Sequence, residues 1–179
     1  MLRVGLCTMA ASVSPAAAFH PSLLRPAASV VGLRGGARPL SMMAAEDEIR
    51  AFMTTCIDAM DECSKSNDAG KIEAWLKEYT ADEGFFVRPS GNPLPFTGLK
   101  EMWTAADVSV TQAKLVSVDT VKVFAGGNAA VVTYMMHDKF EFKGTPNDDY
   151  AKNTAVLEKI DGKWSWIHGH RATGQPPPE

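Results

Sequence analysis

The first 45 residues contain neither aspartate nor glutamate, while Arg3, Arg25, Arg34 and Arg38 fall among them. A stretch with Arg, Ser, Ala and Pro but no acid lacks the mixed charge of a folded surface and reads as targeting sequence. Acids begin at Glu46, and from there 14 basic residues face 21 acidic ones, a net charge of −7 against −3 for the whole chain. That balance gives no reason to expect a nucleic-acid partner. No apolar run reaches the roughly 18 residues needed to span a bilayer, so no membrane association is expected. No Asn-x-Ser/Thr triplet occurs, which disfavours a glycosylated secreted product. Cysteine is scarce. Cys7 lies in the acid-free stretch, and Cys56 and Cys63 sit about 10 Å apart along a helix axis, too far for a disulfide within one helix. They read as small core residues of a reducing compartment.

The acid-free stretch divides in two. Residues 1–18, MLRVGLCTMAASVSPAAA, have a basic start, a mildly apolar middle and a small-residue run suited to signal cleavage. Residues 19–45, opening FHPSLLRPAAS, carry Arg and Ser like a transit peptide. A signal segment abutting Phe19 resembles the bipartite plastid presequences of algae with complex plastids. The expected localisation is therefore the plastid (chloroplast), with mitochondrion or secretion as alternatives. The expected organisation is a cleavable, disordered presequence over 1–45, one domain over 46–174 and a tail over 175–179.

From Glu46 the pattern turns helical. Ile49, Phe52, Met53, Cys56, Ile57, Met60 and Cys63 recur at three- and four-residue spacing and make one apolar face. Asp68 can cap a second, shorter helix with Ile72, Trp75, Leu76 and Tyr79 inward. GFFVRPSGNPLPFTG reads as a short strand, a turn and a return segment, and Leu99, Met102 and Trp103 mark a short third helix. Four strands are predicted over 113–124, 128–143, 150–160 and 163–172. AGGN and KIDGKW read as tight turns between them and GTPNDD as a longer loop. No βαβ alternation occurs, so the expected class is α+β, with N-terminal helices on one face of a curved antiparallel sheet.

This order resembles the nuclear transport factor 2-like (NTF2-like) superfamily, with its SnoaL-like and ketosteroid isomerase-like domains. FFVRPSGNPLPFTGLKEMW is similar to the hairpin that leads into that group's third helix. DGKWSWIHGHRATG is similar to its last strand and to the end of the association (hub) domain of calcium/calmodulin-dependent kinases. The resemblance implies a cone-shaped, cystatin-like α+β barrel wrapped around the helices and enclosing a pocket. Arg171 falls on a pocket arginine of the hub domains, while two further hub arginines fall on Met136 and Ala155. A carboxylate site of the hub kind is thereby put in doubt.

The resemblance makes the Arg171 side of the last strand concave. Strict alternation then puts Trp164, Trp166, His168 and His170 together on the convex side. Two histidines at that spacing are roughly 6.5–7 Å apart, but no third or fourth ligand has fitting spacing, so no metal and no cofactor are expected. The convex Trp164, Trp166 and His168 are expected to form a homodimer interface. On the preceding strand Tyr134, Met136 and Asp138 share the concave side. A carboxylate among apolar groups has its pKa raised and can serve as acid or base. Asp138 and Tyr134 are thus the candidate catalytic pair, against the plainer reading that Asp138 is solvated or paired with Arg171. The expected pocket comprises Arg171, Tyr134, Met136, Trp75, Phe86 and Trp103, with Arg88 at its mouth or in solvent. The leading expectation is a SnoaL-like domain binding a small apolar ligand. The alternatives are an isomerase, cyclase or hydratase that uses Asp138, or an oligomerisation module.

Overall fold

The computed structural model describes residues 40–174 and Pro176. The expected presequence up to residue 39, with its cleavage, and most of the tail lie outside the described residues. Three helices and six strands follow in the order α1 (Leu40–Ser66), α2 (Ala69–Tyr79), β1 (Thr80–Val87), β2 (Pro93–Pro95), α3 (Gly98–Thr104), β3 (Val108–Phe124), β4 (Ala129–Phe142), β5 (Thr145–Ile160) and β6 (Lys163–Thr173).

Helix α1 begins at Leu40, upstream of the expected start at Glu46, because the helix-favouring LSMMAA run continues it backward. Of its predicted face Ile49, Met53, Cys56, Ile57, Met60 and Cys63 are buried, and Phe52 is half-buried at the edge of the core. Asn67 ends the helix at a φ of 52°, a conformation Asn tolerates. Asp68 then caps α2 by accepting hydrogen bonds from the Gly70 and Lys71 amides at 2.8 and 3.1 Å. The Trp75 indole donates to the Cys56 carbonyl at 2.9 Å and ties the two helices together.

The strands form one curved, unclosed sheet in the order β2-β1-β6-β5-β4-β3. Strands β3 to β6 are an antiparallel meander, as predicted, while β1 runs parallel to β6 and carries β2 on its outer edge. Asp161–Gly162 and Lys143–Gly144 are tight turns with positive φ at both residues, the geometry that matches strand twist. The second of these corrects the sequence reading: Gly144 belongs to the turn and TPNDD to β5, so the expected longer loop is replaced by a tight turn. Strand β3 also starts at Val108, earlier than predicted.

The helices cover one face of the sheet, and Ala130, Val132, Tyr134 and Met136 of β4 alternate into the core beneath them. On β6 the alternation breaks. Val156 pairs with His168 but Leu157 pairs with Trp166, which leaves Ile167 as an extra residue in a β-bulge. One inserted residue moves everything on one side of it to the opposite face. Trp164 and Trp166 therefore point inward, 7% and 3% exposed, on the same side as Gly169 and Arg171. His168 and His170 face outward as expected. Trp164 and Trp166 are core residues and not part of a convex interface, contrary to the sequence reading. A Cβ at Gly169 would lie 2.7 Å from Phe86 Cδ2 and 3.1 Å from Trp166 Cζ2, so glycine there lets the two rings close over the strand.

Candidate functional site

Between the helices and the inner face of the sheet lies a cavity of about 410 Å³, at the small end of the roughly 300–1,000 Å³ typical of ligand pockets. Each element contributes a wall. Trp75 and Trp103, from α2 and α3, meet with centroids 5.6 Å apart. Phe86 enters from β1, since alternation turns Phe86 inward and leaves Phe85 43% exposed outside. Phe96 caps this end, 5.5 Å from the Trp166 ring. All six residues expected in the pocket, Arg171, Tyr134, Met136, Trp75, Phe86 and Trp103, line this one cavity, as does Asp138.

The polar groups follow from the register. Tyr134 pairs with Asn153 and Asn153 with Arg171, a row across three strands, while Asp138 pairs with Asp149 farther along. Arg171 Nη1 donates to Asp138 Oδ2, and its Nη2 lies 3.7 Å from Asp149 Oδ2. Asp138 is 7% exposed. Its other oxygen, Oδ1, is buried with no hydrogen-bond partner. Burial pushes the Asp138 carboxyl above the usual carboxylate range; Arg171 opposes this and the nearby Asp149 adds to it. Burial also holds the Tyr134 phenol well above its ordinary value. That ring is 1% exposed and meets Trp166 edge-on at 6.2 Å. The two groups thus stay protonated to higher pH than in water.

Arg88 reaches the cavity wall, with its Nε donating to the Asn92 carbonyl at 3.5 Å. Outside, the His168 ring meets Phe85 at a tilt, with centroids 4.6 Å apart, and its Nδ1 is buried without a partner among the described residues. Among the described residues, no three His, Cys, Asp or Glu side chains converge as metal ligands. Sequence reasoning missed Asn153, Asp149 and Phe96 as lining residues. Asn153 is 2% exposed; the alternation Ala151, Asn153, Ala155, Leu157 carried the signal. Asp149 was hidden because its segment read as a loop.

The profile of the DUF3804 family, described as a protein of unknown function, matches residues 55–177. No curated protein matches the chain. Among solved structures it is similar to an NTF2-like protein of unknown function from Prochlorococcus marinus (Prochlorococcus sp. NATL2A), with 29% identity over 74% of this chain and 94% of that one and a TM-score of 0.59. A cystatin-like-fold protein from Caulobacter vibrioides matches at 17% identity over 74% and 92% of the chains, TM-score 0.54. The association domain of C. elegans CaMKII matches at 20% identity over 74% and 98%, TM-score 0.54. The last two likenesses establish the fold alone. Met136 lines the cavity and Ala155 is fully buried. The chain belongs to the DUF3804 family and has the NTF2-like, cystatin-like α+β fold.

Proposed function

We propose that this domain holds a small, largely apolar molecule in the cavity beneath its sheet. One observation carries the reading: Asp138 Oδ1 is buried at the cavity with no partner. An unmet buried acceptor costs roughly 1–3 kcal/mol, and a bound molecule that supplies a donor removes that cost. The aromatic and thioether walls supply the apolar contact. Native mass spectrometry of the protein purified from its own source tests this. A retained small molecule supports the reading, and a chain that is unliganded there and takes up no hydrophobic dye in solution overturns it.

An acid–base enzyme is the second reading, favoured by the raised Asp138 carboxyl next to the cavity. Asp138 would move the proton, Tyr134 would donate to a developing oxyanion and Arg171 would support it electrostatically. Asp138→Asn should then abolish turnover with folding intact.

Self-association is compatible with either reading. The outward sheet face presents Val131, Met135, Val156 and His168 with the exposed Phe85 beside them, and no described element covers it. Hub and association domains are among the similar structures. A homodimer through this face, without Trp164 and Trp166, is the assembly proposed. The plastid remains the proposed destination, on the strength of the acid-free, arginine-bearing leader.

A further inference from the structure

Resting on the pocket reading above, we infer that the head group this cavity selects is a protonated amine carried on an apolar body, in preference to a carboxylate. Arg171 is directed at two carboxylates, with Nη1 on Asp138 and Nη2 toward Asp149 at 3.7 Å. Two carboxylates share the Arg171 guanidinium, so it is not free to receive an incoming anion.

Two of the neutral donors on the wall are turned away, while the Tyr134 hydroxyl stays there as a group that can accept as well as donate. Asn153 Nδ2 donates to the Ala151 carbonyl at 2.9 Å, and Gln112 Nε2 donates to the His137 carbonyl at 3.0 Å. The buried side-chain atom at this wall with no partner among the described residues is an acceptor, Asp138 Oδ1. An incoming carboxylate would meet an unpartnered carboxylate oxygen; an incoming ammonium would give that oxygen a charge-assisted hydrogen bond. The second cation on the wall, Arg88, gives its Nε to the Asn92 carbonyl and offsets the charge of Asp149, so the preference rests on the acceptor at Asp138 Oδ1 itself.

The walls fit the same head group. Phe86, Phe96, Trp103 and Trp166 line the cavity, and aromatic faces attract a cation while remaining good apolar surface for its body. An alcohol could satisfy Asp138 Oδ1 but would gain neither the charge nor the ring attraction.

Isothermal titration of the full chain with naphthylmethylamine, naphthylmethanol and naphthoic acid, bodies of matched shape, separates these cases. The amine is expected to bind roughly ten- to hundredfold tighter than the other two, and Asp138→Asn should remove the preference. Where that variant fails to fold, Asp149→Asn, which takes the half-exposed carboxylate off Arg171 and frees it for an incoming anion, should reduce the preference over the acid. Equal binding of all three, or tighter binding of the alcohol or acid, overturns the inference and leaves the pocket reading standing. No binding of any of them overturns both.

Discussion

Replacing Arg171 by methionine should destabilise the fold strongly at neutral pH and less in mild acid. Arg171 and Asp138 side chains are 17% and 9% exposed, so solvent screens their pair little. Removing one partner of a buried pair costs roughly 3–5 kcal/mol, because the other charge is left without compensation. The Asp149 contact, with that carboxylate 42% exposed, adds at most about 1 kcal/mol. Asp138 can escape by taking up a proton, which puts the expected loss near the low end, about 3 kcal/mol at about pH 7.5. The sign follows from linkage. The folded Asp138 carboxyl already lies above its unfolded value, so its contribution is full below the unfolded value and is lost as pH rises through the folded one. Without Arg171 the folded value moves higher still, and the penalty at neutral pH grows. In mild acid the carboxyl takes up its proton more readily in the variant, and the deficit should shrink toward about 1.5 kcal/mol, that of one hydrogen bond from a charged donor to a neutral acid. Urea unfolding followed by tryptophan fluorescence measures both values. Adding Asp138→Asn should restore most of the neutral-pH loss. A deficit that is the same at both pH values, or a double variant no more stable than Arg171→Met, would refute the assignment of Asp138 and Arg171 as a buried pair.

Two further outcomes test the faces of the last strands. Trp166→Ala should cost about 3–5 kcal/mol in urea unfolding, as for other large aromatic truncations in cores, with no change of particle mass by light scattering; a fall in mass would return Trp166 to an interface. Val156→Glu, on the outward face between Val131 and His168, should leave far-ultraviolet circular dichroism intact while halving the particle mass. An unchanged mass would remove this face as the homodimer contact.

Much of the site was legible because it depends on alternation along β4. Tyr134, Met136 and Asp138 fall on one face of any regular strand there, and the resemblance to NTF2-like domains made that face the inner one. Cys56 and Cys63 read as core from helical spacing, and both are buried thiols. Burial pushes both thiols up, Cys63 to about 11, as suits residues that pack without reacting. Asp149 was not legible. GTPNDD is polar and Gly-led, which favours a loop on local grounds, yet a two-residue turn at Lys143–Gly144 lets the segment pair with β4 all the way from Thr145. Backbone hydrogen bonds along a long partner strand outweighed its weak strand propensity.

The sequence by itself determined the helix faces, the meander and the inward row of β4, because each is a repeating pattern read from neighbours a few residues away. Tertiary structure decided the rest. The bulge at Ile167 has no local signature in SWIHGH, and it turns Trp164 and Trp166 into the core, onto the face that carries Arg171. Arg171 meeting both Asp138 and Asp149 needs β4, β5 and β6 brought into one register. The acceptor left over at Asp138 exists only once all of its neighbours are in place, since hydrogen bonding is settled by distances across strands that no one-dimensional pattern contains.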